Sequence, residues 1–152
     1  MRAEYINPFL ESANIVLHQV INVKPTTGKL GVKDVRFAEN HIWIQIGVSG
    51  QVQGDIVFGL HETVAIKLAS AMMGGFAITE LDEMGRSAIS ELGNMISGNA
   101  ITIMFNQGIK VDITPPRIIE SAENAGFHPR KALTIPLIMD GIGELDIQVL
   151  FT

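Results

Sequence analysis

Cysteine is absent from the 152-residue sequence, which excludes disulfides and thiolate metal sites and is compatible with a reducing cytoplasm. There is no excess of basic residues either. The formal net charge is −5, which argues against nucleic acid as a partner, because contacts to phosphates depend on Lys and Arg. No apolar run approaches the roughly 20 residues that a membrane-spanning helix needs, and the N-terminus lacks a signal-peptide pattern. The sequence therefore predicts a cytoplasmic protein that does not bind membranes.

Several ligand-binding motifs are missing as well. The sequence contains neither a GxxxxGK[ST] loop nor a GxGxxG turn, the common signatures of nucleotide binding. It also has no HxxxH or HExxH spacing, which would place metal ligands on one helix. Its histidines are scattered, at His18, His41, His61 and His128. We therefore expect no metal or cofactor bound by this chain, and none of the converging titratable groups that small-molecule enzymes use.

Hydrophobic residues make up 47% of the chain, which predicts one compact domain spanning residues 1–152. Three stretches have helical periodicity together with start and stop signals. The predicted helices are residues 8–23, after an Asn7 cap and before Pro25, residues 61–75, closed by Gly74 and Gly75, and roughly residues 82–107, with Asp82 as cap and Gly108 as stop.

Strand-like runs occupy most of the remaining sequence. They lie at residues 35–38, 41–48, 50–60, 110–114, 131–139 and 143–151. Turns are predicted at residues 24–31 and, as antiparallel hairpins, at Glu39-Asn40, Ser49-Gly50 and Asp140-Gly141. The order helix, three strands, helix and then helix, three strands predicts an α+β fold. It has two pseudo-symmetric helix–three-strand halves that form an antiparallel-rich sheet packed by helices.

The last two strands are long and apolar, and they suggest pairing with a second chain. We therefore expect a homodimer. Within the domain, Trp43 is expected to pack on the sheet, and Met72, Met73, Met84 and Met95 are expected to fill the core rather than form an adaptable binding surface.

The third helix carries an unusual polar stripe. At about 100° per residue, Ser87, Glu91, Asn94 and Gly98 share one side, with Ser90 and Ser97 close by. The opposite, apolar side is formed by Leu81, Gly85, Ala88, Leu92, Met95, Ile96 and Ile103. The alternative to a functional stripe is an ordinary solvated face. Gly93 and Gly98 argue for function, because a glycine inside a helix costs about 1 kcal/mol relative to alanine. Their presence suggests close approach by the domain's own sheet or by another protein.

A lone carboxylate and amide restrict the chemistry. Acid–base hydrolysis generally uses two carboxylates, and serine hydrolysis needs a histidine at the right spacing, which Ser87 and Ser90 lack. An exposed Glu91 and Asn94 become useful when the substrate supplies its own electrophile and charge neutralisation. A phosphorylated protein with bound Mg²⁺ would do so, and the amide would then only need to position a water molecule.

The same residues carry a resemblance to a known family. Ser87, Glu91 and Asn94 are followed by Pro115 and Pro116 in "VDITPP", and the chain also contains "NPFLESA", "KPTTGKLG", "SAMMGG" and "ELGNMISG". In this order the set resembles the CheC/CheX family of chemotaxis phosphatases, and its CheX branch most closely. The resemblance covers nearly the whole chain. It implies a fold with internal pseudo-twofold symmetry and a homodimer, formed in that branch by strand exchange.

The resemblance also implies an activity, the hydrolysis of the aspartyl phosphate of a CheY-type response regulator. Glu91 would pair with a regulator lysine and Asn94 would orient the attacking water, while Ser87, Ser90 and Gly98 would contact the partner. Mg²⁺ would belong to the regulator. The alternative is a non-catalytic interaction module of a chemotaxis, flagellar-switch or other two-component assembly.

The first helix contains a second copy of the spacing. Glu11 and Asn14 repeat the acid–amide pair, and Asn7 stands four residues before Glu11. The copy could be a second site, as in the CheC branch, or a solvated face with chance spacing. It has no Ser or Asp at the first position, no interior glycine and no proline at the matching distance. These differences favour the solvated face.

Overall fold

The computed structural model describes residues 3–34, 39–119 and 131–151. In these ranges the chain forms three helices and eight strands. They are α1 (Ala3–Ile21), β1 (Thr26–Thr27), β2 (Gly31–Asp34), β3 (His41–Gly50), β4 (Gly54–His61), α2 (Glu62–Met72), α3 (Glu83–Asn106), β5 (Val111–Ile113), β6 (Arg117–Ile119), β7 (Lys131–Met139) and β8 (Gly143–Phe151). The helices and strands confirm the α+β class.

All the described strands belong to one antiparallel sheet. Its order is β1-β7-β8-β4-β3-β5, with β2 also pairing with β7 and β6 with β3. The centre of the sheet is the β4–β8 pair, in which Val57 lies opposite Gln148. The short strands cross between the halves: β1 and β2 pair with β7, whereas β5 and β6 pair with β3. Each half of the chain therefore completes the sheet of the other half.

This arrangement confirms the repeated order of elements, with one difference. Each half consists of a long helix followed by four described strands rather than three. The extra strands in the first half are β1 and β2, which fall partly in the region predicted as a turn. Residues of β1 are exposed and lack an apolar alternation, so the strand is defined by its pairing with β7. The predicted strand at residues 35–38 lies outside the described residues.

Three local predictions are corrected by the structure. First, α1 begins at Ala3, and Pro8 lies inside it rather than in its first turn. A proline there removes one backbone hydrogen bond. Ile6, Pro8 and Phe9 are all buried, so apolar burial offsets that loss.

Second, the β3–β4 turn lies at residues 51–53, after the predicted Ser49-Gly50 position. β5 pairs with Val48, Ser49 and Gly50, and this pairing keeps them in the strand. The turn is tied to the start of β5, because the Gln51 side-chain oxygen accepts a 2.6 Å hydrogen bond from the Lys110 N–H. The hairpin at Asp140-Gly141 is confirmed, since β7 ends at Met139 and β8 starts at Gly143.

Third, β7 and β8 are not free edges. β8 is paired on both sides, by β7 and β4, and β7 is covered by β1 and β2. The reason given for pairing with a second chain is therefore wrong, because the hydrogen-bonding groups of these strands are used within the chain. The homodimer itself stays a prediction.

The main core lies between the sheet and the helices. Alternate residues of β3 (Ile42, Ile44 and Ile46) join Phe58 and Leu92 in it. A second cluster lies on the opposite sheet face and consists of Trp43, Val57, Ile119, Ala132 and Leu150. Trp43 lies so close to Gly59 that a Cβ added at the glycine would be 2.2 Å from the ring. Trp43 therefore packs on the sheet, as predicted.

The sheet face away from the helices also contains unpaired polar groups. Side-chain oxygens of Thr134, Asp146 and Gln148 are buried and form no hydrogen bond within the described ranges. Burial raises the pKa of Asp146, and the nearby Glu144 charge raises this pKa further, against smaller opposite effects of Lys33 and His41. The charged form of Asp146 is therefore disfavoured in the folded protein.

This pKa shift predicts how a substitution should depend on pH. An unfolded aspartate titrates at about pH 3.9, so native Asp146 holds a proton that the unfolded chain loses as pH rises through that value. Its contribution to stability falls as pH increases up to the raised native pKa, and the loss is complete above it. We expect Asp146→Asn to raise Tm at pH 7.5 and to give little gain at pH 3.5, as measured by thermal unfolding. A gain that is equal at both pH values would contradict the proposed cause.

Candidate functional site

Helix α3 presents the polar stripe, and both of its ends are defined by capping. The Asp82 side chain accepts a 2.9 Å hydrogen bond from the Gly85 N–H, which confirms the predicted N-cap. The helix ends at Asn106 and is followed by Gly108, whose φ of 85° suits glycine. Ile89, Leu92 and Ile96 are buried against the sheet and set the rotation of the helix. The side of α3 opposite these residues must therefore face outward.

Helix α1 packs against α3 along one flank of the stripe. The Ser12 hydroxyl donates a 2.5 Å hydrogen bond to the Ile96 carbonyl oxygen, and Ser12 and Ser97 are both fully buried. The prediction that Ser97 lies on the exposed side is therefore wrong. Its helical position borders the stripe, but it is buried next to Ile96, whose carbonyl binds Ser12 of α1. A small side chain at this position allows the two helices to approach closely.

The remaining stripe residues lie on the outer surface. Ser87 and Glu91 are exposed, whereas Ser90, Asn94 and Gly98 are partly exposed. Within residues 3–34, 39–119 and 131–151, the Glu91 carboxylate and the Asn94 carboxamide make no hydrogen bond or ion pair. Both groups are therefore available to an external partner. Their predicted placement is found in the structure, and their roles stay predictions.

The two glycines of α3 have different surroundings. A Cβ added at Gly93 would lie 3.2 Å from Ile44 Cγ2 and 3.4 Å from Phe58 Cδ2, both in the core. Gly93 thus allows the helix to lie close to its own sheet. A Cβ added at Gly98 would have no heavy atom of the described residues within 4 Å, apart from its own stretch of helix. Packing within the domain therefore explains why residue 93 is a glycine, but it does not explain why residue 98 is one.

The copy of the motif in α1 differs at its amide. Glu11 is exposed, but the Asn14 Nδ2 donates a 2.9 Å hydrogen bond to the Leu10 carbonyl oxygen of the same helix. This bond fixes the carboxamide against its own backbone, in contrast to Asn94. The two motifs therefore have the same spacing, but only the α3 motif has an amide that is available to a partner.

The two prolines interrupt the edge of the sheet beneath α3. β5 and β6 both pair with β3 and both contact α3, and Pro115 and Pro116 lie between them. Thr114 maintains the pairing at the break: its N–H donates to the Gly47 carbonyl at 3.0 Å, and its hydroxyl accepts from the Gly47 N–H at 2.8 Å. The prolines, which cannot donate, therefore fall where the ladder stops.

Two of the described histidines, His41 and His61, lie edge to face with ring centroids 5.2 Å apart, and the described histidines form no larger cluster. His18 is exposed on α1, His41 stacks on Trp43, and His61 caps α2 by accepting a hydrogen bond from the Thr63 N–H. His128 lies outside the described residues. Across the described ranges, no group of three or more His, Asp or Glu side chains is arranged to hold a metal ion. Nor is any of the described helices sufficiently long and apolar to cross a membrane.

Comparison with known proteins identifies the relatives of this arrangement. Residues 42–143 match the family model described as chemotaxis phosphatase CheX, and this range includes Ser87, Glu91 and Asn94. The chain is 33% identical to the CheY-P phosphatase CheX of Thermotoga maritima over 124 residues, which are 81% of this chain and 79% of that protein.

Two solved structures share the fold. A CheC-like superfamily protein from Shewanella sp. PV-4 has a TM-score of 0.85 and 26% identity, with 100% of this chain and 99% of that chain covered. The CheX–CheY–BeF3–Mg²⁺ complex from Borrelia burgdorferi has a TM-score of 0.81 and 26% identity, with 99% of each chain covered.

The contrast between the two glycines predicts opposite responses to alanine. Gly98→Ala should raise the free energy of unfolding by about 1 kcal/mol, because alanine is the better helix former and its methyl group meets open space. Gly93→Ala should not give this gain, because its methyl group presses on Ile44 and Phe58. Urea unfolding of both variants measures the difference. Equal stabilisation by the two changes would show that Gly93 is not constrained by packing.

Proposed function

The chain belongs to the CheX family of chemotaxis phosphatases, and we propose that it hydrolyses the aspartyl phosphate of a CheY-type receiver domain. The observation that carries the proposal is the open pair on α3. Glu91 and Asn94 lie one helical turn apart on a rigid helix, and neither group is engaged within the described ranges. Such a pair can enter the phosphorylated pocket of another protein without first breaking contacts of its own.

In this mechanism Asn94 acts on the attacking water. Its carboxamide accepts a hydrogen bond from the water and places the oxygen in line with phosphorus and the aspartyl leaving oxygen. The new P–O bond forms as the bond to the aspartyl oxygen breaks. The products are inorganic phosphate, which takes up the water proton, and the free aspartate carboxylate. Positioning suffices because the transition state for phosphoryl transfer needs mainly alignment and charge stabilisation.

Glu91 has an anchoring role in the same complex. A carboxylate brought near a phosphoryl group is repelled unless a cation lies between them, so we assign Glu91 to a lysine of the receiver. Mg²⁺ also belongs to the receiver. With both cations supplied by the partner, a chain of net charge −5 can act on a phosphate. Ser87, Ser90 and Gly98 complete the contact surface around the pair.

We further propose that α3 carries the single working site and that the protein acts as a cytoplasmic homodimer in a chemotaxis or other two-component pathway. The hydrogen bond from the Asn14 amide to Leu10 supports the first point, because the amide would have to break it before orienting water. The relatives named CheX support the pathway.

The central test compares the two asparagines. A CheY-type receiver from the same organism is phosphorylated with acetyl phosphate, and its phosphate loss is followed with and without the protein. Wild type should shorten the lifetime of the phosphorylated receiver. Asn94→Ala should lose on the order of 10²-fold in kcat/KM, because positioning is lost. The fold should be unchanged, because the Asn94 side chain makes no hydrogen bond to any residue that the structure describes.

Asn14→Ala is the matched control, since it changes the same residue type at the same motif position. It should retain wild-type activity, and a loss comparable to that of Asn94→Ala would establish α1 as a second site. If wild type binds the phosphorylated receiver and leaves its phosphate lifetime unchanged, the protein is a non-catalytic interaction module.

Gly98 provides an independent prediction. If the partner backbone passes over Gly98, Gly98→Ala should weaken the reaction through a higher KM for the phosphorylated receiver while kcat changes little. The same variant is expected to be more stable than wild type, so lost activity could not be attributed to unfolding. Steady-state kinetics over a range of receiver concentrations measures both constants. An unchanged KM would remove Gly98 from the contact surface.

A further inference from the structure

Two large apolar side chains lie exposed at the ends of the α3 stripe. Met84, in the first turn, is 67% exposed, and Phe105, in the last turn, is 61% exposed. The prediction that Met84 fills the core is therefore wrong. At about 100° per residue, both residues project within about 40° of Glu91 around the helix axis. The acid and amide thus lie on one surface between two apolar ends.

We propose that the phosphorylated receiver docks along the full length of α3, with Met84 and Phe105 as apolar anchors on either side of Glu91 and Asn94. This proposal rests on the phosphatase function and extends it to the residues that determine affinity. We call the surface formed by Met84, Glu91, Asn94, Gly98 and Phe105 the docking strip. Its partner is a receiver domain that presents an apolar patch on each side of its phosphorylated pocket.

The dimensions of the docking strip suit one such domain. Met84 lies about 10 Å before Glu91 along the helix axis, and Phe105 lies about 16 Å after Asn94, at 1.5 Å per residue. A compact domain of about 120 residues has a radius of gyration of roughly 14 Å. A receiver centred on the acid–amide pair therefore reaches both ends of the helix.

Helix α1 provides an internal comparison. Its motif residues Asn7, Glu11 and Asn14 each stand 80 positions before Ser87, Glu91 and Asn94. At the same offset, α1 has Glu4 where α3 has Met84, and His18 where α3 has Gly98. Both α1 side chains are exposed, and α1 ends at Ile21, before the position equivalent to Phe105.

The stripe of α1 therefore has the acid and the amide but lacks the two apolar anchors and the glycine of the docking strip. At the position of the first anchor it has the carboxylate of Glu4, and at the position of Gly98 it has the imidazole of His18. The helix ends at Ile21, before the position that would carry the second anchor. Large apolar side chains that become buried in a contact can contribute much of its affinity, whereas a charge buried at the same position opposes desolvation. The difference between the helices thus extends beyond the amide to the surface that would hold the partner.

The test separates affinity from chemistry. The KM and kcat of dephosphorylation are measured for Met84→Ala and Phe105→Ala, with binding of the beryllofluoride- and Mg²⁺-loaded receiver measured in parallel. We expect each change to raise KM and the binding Kd by about tenfold, with kcat within about twofold of wild type. Met84→Glu, which installs the α1 residue, should raise KM further. Circular dichroism checks that each variant remains folded.

Ile138→Ala is the control. Ile138 is 47% exposed and lies between Leu137 and Met139, which are both buried in the main core, so strand alternation places it on the sheet face away from α3. Its KM should equal that of wild type. If the Met84 and Phe105 variants keep wild-type KM while Asn94→Ala is inactive, the docking strip is wrong and the phosphatase function stands. If wild type does not accelerate phosphate loss, the phosphatase function fails and the docking strip with it.

Discussion

The position of the acid–amide pair depends on one packing contact, the burial of α3 against the sheet at Gly93. The absence of a side chain there lets the helix backbone lie on Ile44 and Phe58. With Leu92 and Ile96 buried beside it, the helix has one rotation, and Glu91 and Asn94 can only point outward. The orientation of the proposed reactive groups is therefore a consequence of core packing, because nothing within the described chain holds them directly.

The second constraint is the contact between the two long helices. Ser12 binds the Ile96 carbonyl, and the buried Ser97 lies beside it, so α1 closes one flank of the stripe and leaves the other open. The two halves of the chain share their architecture but differ in the contacts of the motif amide. In α1 the amide donates a hydrogen bond to Leu10 of its own helix, whereas in α3 the equivalent amide makes no hydrogen bond to any described residue. Equivalent helices thus present the same pair of residue types in different local environments.

The sequence predicts those features that depend on local signals. Asp82, Gly108 and the Gly74-Gly75 pair define helix ends, and a period of 3.6 residues places Glu91 and Asn94 on one side. Features set by distant residues could not be predicted in this way. Thr26 belongs to a strand because it pairs with Ile138 of β7, and Ser97 is fully buried beside the contact between α1 and α3. Nor does composition distinguish Gly93, which meets the sheet, from Gly98, which meets open space.

The crossing of the short strands has a consequence for how the protein is made. β1 and β2 pair with β7, and β5 and β6 pair with β3. Neither half of the chain can therefore form its complete set of strand pairs alone. During synthesis, the strands of the first half have unpaired backbone hydrogen-bonding groups until the C-terminal hairpin has been made. Pairing between strands that are distant in sequence slows folding. The two repeats are interlocked. A chain shortened before β8 loses the central β4–β8 pairing, and with it the platform on which α3 rests.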